Sequence, residues 1–385
     1  MISRIRSIFT FALLCCLLFA VTAHAAPLRE PLYQTPPADL MTPATGNLYE
    51  IPVVSICYLP TQDGVRLDPD ATDLDATLYQ MYEKITMMNR QIKFALEEGS
   101  RYHGYMDKNA RPTLGYKIVA MITLNEDLPR DSVERRDKPG TYQINYNKIL
   151  ERFKGRDWVD KEGVKEFWVW GYHYGDLEVI ESNMSSPLTG NISNSLRREG
   201  DMPAYEHSYI VYNYNYERSA AEAIHDHGHQ LEAQLAYVNQ RQDGNKKLFN
   251  DEFMQRCGWT HCPANTRKDY DYLNPTPVES DIVDWRPNGG GRTMMVSDRT
   301  WGDVPYLWPG GIVPEQKTEA QWYIFWRQNI PGENSGLSVG DQALTNWWDF
   351  VGDWDGAARR NLGLHKGPLK TPLVKGRNVT ATPAY

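Results

Sequence analysis

Tyr209-Ile-Val-Tyr-Asn-Tyr214, then four residues on Ser219-Ala-Ala-Glu-Ala-Ile-His-Asp-His-Gly-His-Gln-Leu-Glu-Ala-Gln-Leu-Ala-Tyr-Val238, is a strand signal running straight into a helix signal. The first run is β-branched and aromatic at every position but Asn213, as suits a strand buried on both faces. In the second, Ile224, Gly228, Leu231, Leu235 and Val238 recur at helical spacing and form one apolar stripe. His225, His229 and Glu232 fall together on an adjoining face, because residues three and four apart are neighbours on a helix. On a regular helix His227 projects to the opposite side.

Outward from this pair the same alternation continues. Ile51–Tyr58, Leu114–Leu124 and Val164–Trp170 read as further strands, and Ala76–Glu98, Tyr142–Arg152 and Lys246–Arg256 as helices. Strands alternating with helices predict an α/β layer, a sheet flanked by helices, over about residues 51–256. From Cys257 the character changes: the last third, 257–385, is rich in loops and Trp, and nine of the chain's 12 Trp lie from Trp259 onward. No linker separates the two parts, so residues 26–385 are expected to form a single domain whose last third wraps the α/β part.

The first 25 residues read as a secretory signal peptide, with Arg4 and Arg6 before an apolar run at Ile8–Val21 and a small-x-small site at Ala23-His24-Ala25. The run is too short for a membrane span, so a secreted or periplasmic protein is expected. The formal net charge of −8 argues against a nucleic-acid partner, which calls for clustered Lys and Arg. Of the three cysteines beyond the leader, Cys257 and Cys262 flank a turn. In an oxidising compartment they are expected to close it as a disulfide. A metal reading would add His261, but one Cys pair and one His leave a zinc set incomplete. The aspartates between Asp63 and Asp75 lack the closing Glu and turn Gly of a calcium loop, and read as a solvated loop.

Two imidazoles at i and i+4 can close on one metal ion, since one helical turn brings both rings to one side. His225-Asp226-His227-Gly228-His229 resembles the helix of the zincin metallohydrolases, His-Glu-x-x-His, with Asp226 where that family has its catalytic Glu. The resemblance covers about ten residues. It implies zinc held by His225 and His229 and Asp226 as the acid that polarises the metal-bound water. The third ligand is left open between Glu232, one turn on, and Glu252. The latter follows an Asn, 23 residues beyond His229, as in the gluzincin branch.

Two other constellations compete. Gly171-Tyr-His-Tyr-Gly-Asp176 and Glu181 follow the third strand, where open α/β sheets place their ligand crevice, so His173 is an acid/base candidate. Asp269, Asp271, Glu279, Asp281 and Asp284 lie near Trp259, Trp285 and Trp301, and paired carboxylates beside aromatic platforms are what glycoside hydrolysis uses. The expected function is therefore a metal-dependent hydrolase of an extracellular polymer, a zinc peptidase being the leading form, with His173 or His227 orienting substrate and Trp259 and Trp285 contacting it. The alternatives are a carbohydrate-active enzyme, with Glu222 or Glu232 among its carboxylates, and a secreted glycan-binding protein without catalysis.

Overall fold

A computed structural model describes residues 30–134, 138–173, 176–178, 181–194, 200–244, 247–311 and 314–375. The expected signal peptide lies outside these residues. Seven strands form the main sheet: β1 (Leu32–Gln34), β2 (Tyr49–Tyr58), β3 (Leu114–Leu124), β4 (Glu166–Gly171), β5 (Ser182–Ser185), β6 (Ile192–Ser193) and β7 (Tyr209–Asn215). Their spatial order is β1-β3-β2-β4-β7-β5-β6. The central four, β3, β2, β4 and β7, are mutually parallel, while β1, β5 and β6 add antiparallel edges. This is the α/β architecture that the continuous apolar runs predict, since parallel strands are covered on both faces. All six residues of β4 are buried.

Four helices frame the sheet and the region around it: α1 (Leu78–Gly99), α2 (Tyr146–Arg152), α3 (Ala220–Gln242) and α4 (Pro314–Arg327). A capping box starts α1, with the Thr77 hydroxyl accepting from Gln80 N and the Gln80 side chain accepting from Thr77 N. α1 and α3 cover one face of the sheet. There Trp170 Nε1 donates to Asn89 of α1 at 2.9 Å, and Trp168 of β4 packs against His227 of α3. α2 covers the other face, its Tyr146 hydroxyl reaching Asn213. The expected helix over 142–152 is in fact two elements. Tyr142–Ile144 pairs in a small separate sheet with Arg130–Glu134 and Leu177–Glu178, and Asn145 then caps α2 through Lys148 N.

The last third is a region of short helices and loops around α4, which packs against α1, α3 and the short helix Asp298–Gly302. From Ala320 to Arg327 α4 is buried on every side, as a helix in the middle of a core must be. The tryptophans here are core residues. Trp285 is 3 % exposed, and Trp301, Trp322, Trp326, Trp347 and Trp348 are fully buried. Several have an indole N–H that donates to a loop carbonyl: Trp285 to Glu252, Trp301 to Tyr272, Trp326 to Gly258 and Trp347 to Leu364, at 2.8–3.2 Å. Irregular backbone leaves carbonyls without ladder partners, and a side chain that fills volume while donating one hydrogen bond answers both needs. The expected aromatic platforms are therefore corrected to interior packing at Trp285 and Trp301. One contiguous apolar core runs from Leu40 to Leu373 through both parts. Among the described residues no helix is long and apolar enough to cross a membrane.

Candidate metal centre

The helix α3 enters directly after β7 and lies between the sheet and α4, so its two histidine-bearing sides meet different surroundings. His227 faces the sheet. It stacks on Tyr212 with ring centroids 3.7 Å apart, and its Nε2 lies 2.6 Å from the Tyr214 hydroxyl. Burial drives its pKa well below the ordinary value, so it is a neutral core group. The expected substrate contact at His227 is not where the structure places it, because a regular helix turns that position away from His225 and His229.

His225 and His229 face the loop that follows Gly258. That loop is a tight turn in which Trp259 N donates to Cys262 O at 2.9 Å and Cys262 N returns to Trp259 O at 3.1 Å. Gly258 permits it: its φ is +79°, and a Cβ there would sit 2.5 Å from Cys262 O. The turn presents His261 to the helix. His229 Nε2 is 2.9 Å from His225 Nε2 and 2.9 Å from His261 Nε2. The three side chains thus form a cluster whose donor atoms all lie within 4.8 Å of one another, suited to hold a metal ion. Two nitrogens each about 2.0–2.1 Å from one ion are roughly 2.9–3.4 Å apart at bond angles from a right angle to tetrahedral. The observed separations fall at the short end of that range.

The outer nitrogens of His225 and His229 are anchored. His229 Nδ1 lies 3.0 Å from Glu232 Oε2, and the other Glu232 oxygen accepts from Thr260 N at 2.8 Å and Thr260 Oγ1 at 2.6 Å. Both oxygens of Glu232 are thus committed to orienting His229 and the loop that carries His261. His225 Nδ1 lies 2.7 Å from the Tyr323 hydroxyl, which donates to Glu319 Oε1 at 3.0 Å. The Glu232 carboxylate decides which His229 nitrogen carries hydrogen. A carboxylate only accepts, so His229 Nδ1 carries hydrogen. The Tyr323 hydroxyl also lies 2.8 Å from the Tyr272 hydroxyl, which donates to Thr260 O at 2.9 Å, so His225 is tied through Tyr323 to the loop that carries His261. The two Nε2 atoms lie 2.9 Å apart, a spacing met either by one proton between them or by a metal ion shared between them.

Electrostatics set His229 apart from its two neighbours. Burial, followed by the neighbouring imidazoles, pushes His225 down to about 2, and burial lowers His261. Burial alone would lower His229 as well, but the Glu232 hydrogen bond and charge outweigh it and raise it. Glu232 moves the opposite way, held down by His229 and Thr260 against the effect of its own burial. Gly228 fits the helix to this loop: a Cβ there would lie 2.5 Å from Thr260 Oγ1.

A polar cleft of about 440 Å³ opens beside the cluster, lined by His225, Asp226 and Tyr270 together with His173, Glu181, Arg218, Glu222 and Glu319. It lies past the carboxyl ends of β4 and β7 at the start of α3, where a parallel sheet leaves its crevice. Asp226 is only 5 % exposed, and burial, then Glu181, raises its carboxyl well above the ordinary value. Glu222 pairs with Arg218, and Glu181 accepts from Asn194.

The structure thus brings His225, Asp226, His229, Glu232 and His173 to one place. The third residue at the cluster is His261 rather than the expected Glu232 or Glu252. Glu232 stands behind His229, and Glu252 sits 3.5 Å from Arg256 in a π-helical segment, Lys247–Met254. Trp259 is half-buried under Arg267, with the guanidinium 5.5 Å from its ring. The other carboxylates of the last third are tied into loops, Asp281 by Arg256, Asp284 by Arg292 and Asp269 by the Cys262 thiol. The expected Cys257–Cys262 disulfide is corrected. Both are buried free thiols, and backbone hydrogen bonds close the turn without them. No protein-family profile matches the chain, and no curated protein does.

Proposed function

We propose that this chain is an exported metal-dependent hydrolase that holds zinc on His225, His229 and His261 and cleaves an extracellular polymer, a protein or peptide being the first candidate. The observation that carries this reading is the convergence of ring nitrogens from His225, His229 and His261 within 4.8 Å of one another beside a polar cleft. A single proton satisfies one histidine pair, whereas one metal ion satisfies all three histidines. Three imidazoles are a borderline-soft nitrogen set, which suits zinc, and catalytic zinc sites commonly keep three protein ligands with a fourth position open. An ion held by His225, His229 and His261 would supply Lewis-acid polarisation of a carbonyl and activation of water near neutral pH. The export part rests on the leader-like residues 1–25.

The roles divide by position. Glu232 fixes the ring of His229, as outer-shell carboxylates of metal histidines do. Asp226 lies on the cleft wall next to His225 and is the acid/base group for the leaving atom. His173 and Glu181 line the same cleft and meet the substrate. The carbohydrate alternatives keep the cleft carboxylates and the half-buried Trp259, since Trp285 and Trp301 are interior and offer no sugar platform.

The test is hydrolysis of a casein or mixed-peptide substrate by the purified protein, before and after chelation and with zinc returned. Activity is expected to disappear on chelation, to return with zinc, and to drop at least about a hundredfold in Asp226→Asn with zinc still bound. Undiminished cleavage by chelated, metal-free protein would contradict the proposal.

A further inference from the structure

Tyr270 is held against the histidine cluster from the cleft side. Its backbone N–H donates to His261 O at 2.8 Å, which ties it to the residue whose ring it meets. Its φ is +62°, a left-handed conformation that a residue with a Cβ adopts uncommonly and that functional sites often retain. The ring lies 4.6 Å from that of His261, and 5.8 Å from His225 at an interplanar angle of 23°. The phenol oxygen comes within 3.1 Å of His261 Nε2. That nitrogen is the one facing His229, so the oxygen stands at much the same spacing from it as the neighbouring imidazole does. Tyr270 is nevertheless 58 % exposed and lines the cleft, so neither packing nor burial accounts for an inward-turned hydroxyl.

Resting on the three-histidine reading, we infer that the phenol oxygen of Tyr270 is a fourth donor of this metal centre, occupying the cleft-side position that a substrate oxygen takes in turnover. Oxygen completes a three-nitrogen set for zinc and for copper(II) alike. The position is exchangeable because the side chain faces solvent, whereas His225 and His229 are fixed by Tyr323 and Glu232. Tyr270 therefore differs from His225 and His229 in being able to leave.

Copper(II) titrated into the metal-stripped protein distinguishes this donor, because a phenolate bound to copper(II) gives a charge-transfer band in the visible that imidazole alone does not. The wild type is expected to bind one copper and show the band. Tyr270→Phe is expected to bind one copper without it and to keep the wild-type circular dichroism. One bound copper with no band in the wild type, or a band that persists in Tyr270→Phe, overturns the Tyr270 assignment and leaves the three-histidine centre standing. Failure of the wild type to bind copper at all overturns both.

Discussion

Glu232 carries more of the centre than a ligand would. One of its oxygens orients His229 and the other holds Thr260, the residue before His261, so a single carboxylate fixes two segments 28 residues apart. Glu232→Ala is expected to weaken zinc binding about 10–100-fold, the usual effect of losing such an outer partner, as read by competition with a chromophoric chelator. Glu232→Gln keeps the shape but not the charge and should fall between the two. Gly228 belongs to the same contact. Gly228→Ala would drive a methyl against Thr260 Oγ1, so the loop must retreat from the helix and take His261 with it. Thermal melting is expected to show destabilisation of about 1–3 kcal/mol, the usual cost of overpacking, together with weakened zinc binding. An unchanged zinc affinity would show that the loop yields elsewhere.

At the scale of elements, α3 shows how far a sequence can be read and where it stops. Its span, its apolar stripe and the opposed orientations of His227 and His229 follow from helical periodicity alone. The third histidine does not. His261 lies 32 residues from His229, in a turn set by Gly258 and by backbone hydrogen bonds, and no periodicity reports which loop folds back onto a helix. The signal present in the sequence is a histidine between two cysteines in a tight turn, which draws attention to the thiols instead. The antiparallel strand β5 is likewise illegible, since Ser182-Asn-Met-Ser185 has neither alternation nor a β-branched run. Local capping, by contrast, is written in the sequence at Thr77 and Gln80. Thr77→Ala should lower stability by about 1 kcal/mol in urea unfolding and leave the centre untouched.

For the whole molecule, the sheet and the Trp-rich region share one core, and buried polar groups within it set how stability responds to pH. Glu166, at the start of β4, is 1 % exposed and accepts from Trp168 Nε1 at 2.9 Å. Burial raises its carboxyl to about 7, against the opposing pull of Trp168, Arg327 and Lys165. Between its ordinary value of 4.5 and about 7 the folded chain keeps a proton that the unfolded chain has released. Its contribution to stability is therefore full below about pH 4.5 and is lost as pH rises through 7. At about 1.4 kcal/mol per pH unit the loss is on the order of 3 kcal/mol. Urea unfolding followed from about pH 4.5 to 7.5 should show this decline, and Glu166→Gln should flatten it. The tryptophan content of the last third is plain from composition, but its purpose is not. Whether an indole faces a sugar or a loop carbonyl depends on contacts between distant segments, which linear order does not record.

Whether His261 completes a metal centre begun by His225 and His229 is read most directly from the zinc content of purified protein by elemental analysis. Wild-type protein is expected to carry close to one zinc per chain, and His229→Ala and His261→Ala to lose it while keeping the wild-type circular dichroism. Glu252→Ala should retain it. Wild-type protein that neither contains nor takes up zinc, or a His261→Ala variant that holds it as tightly as the wild type, would contradict the three-histidine centre.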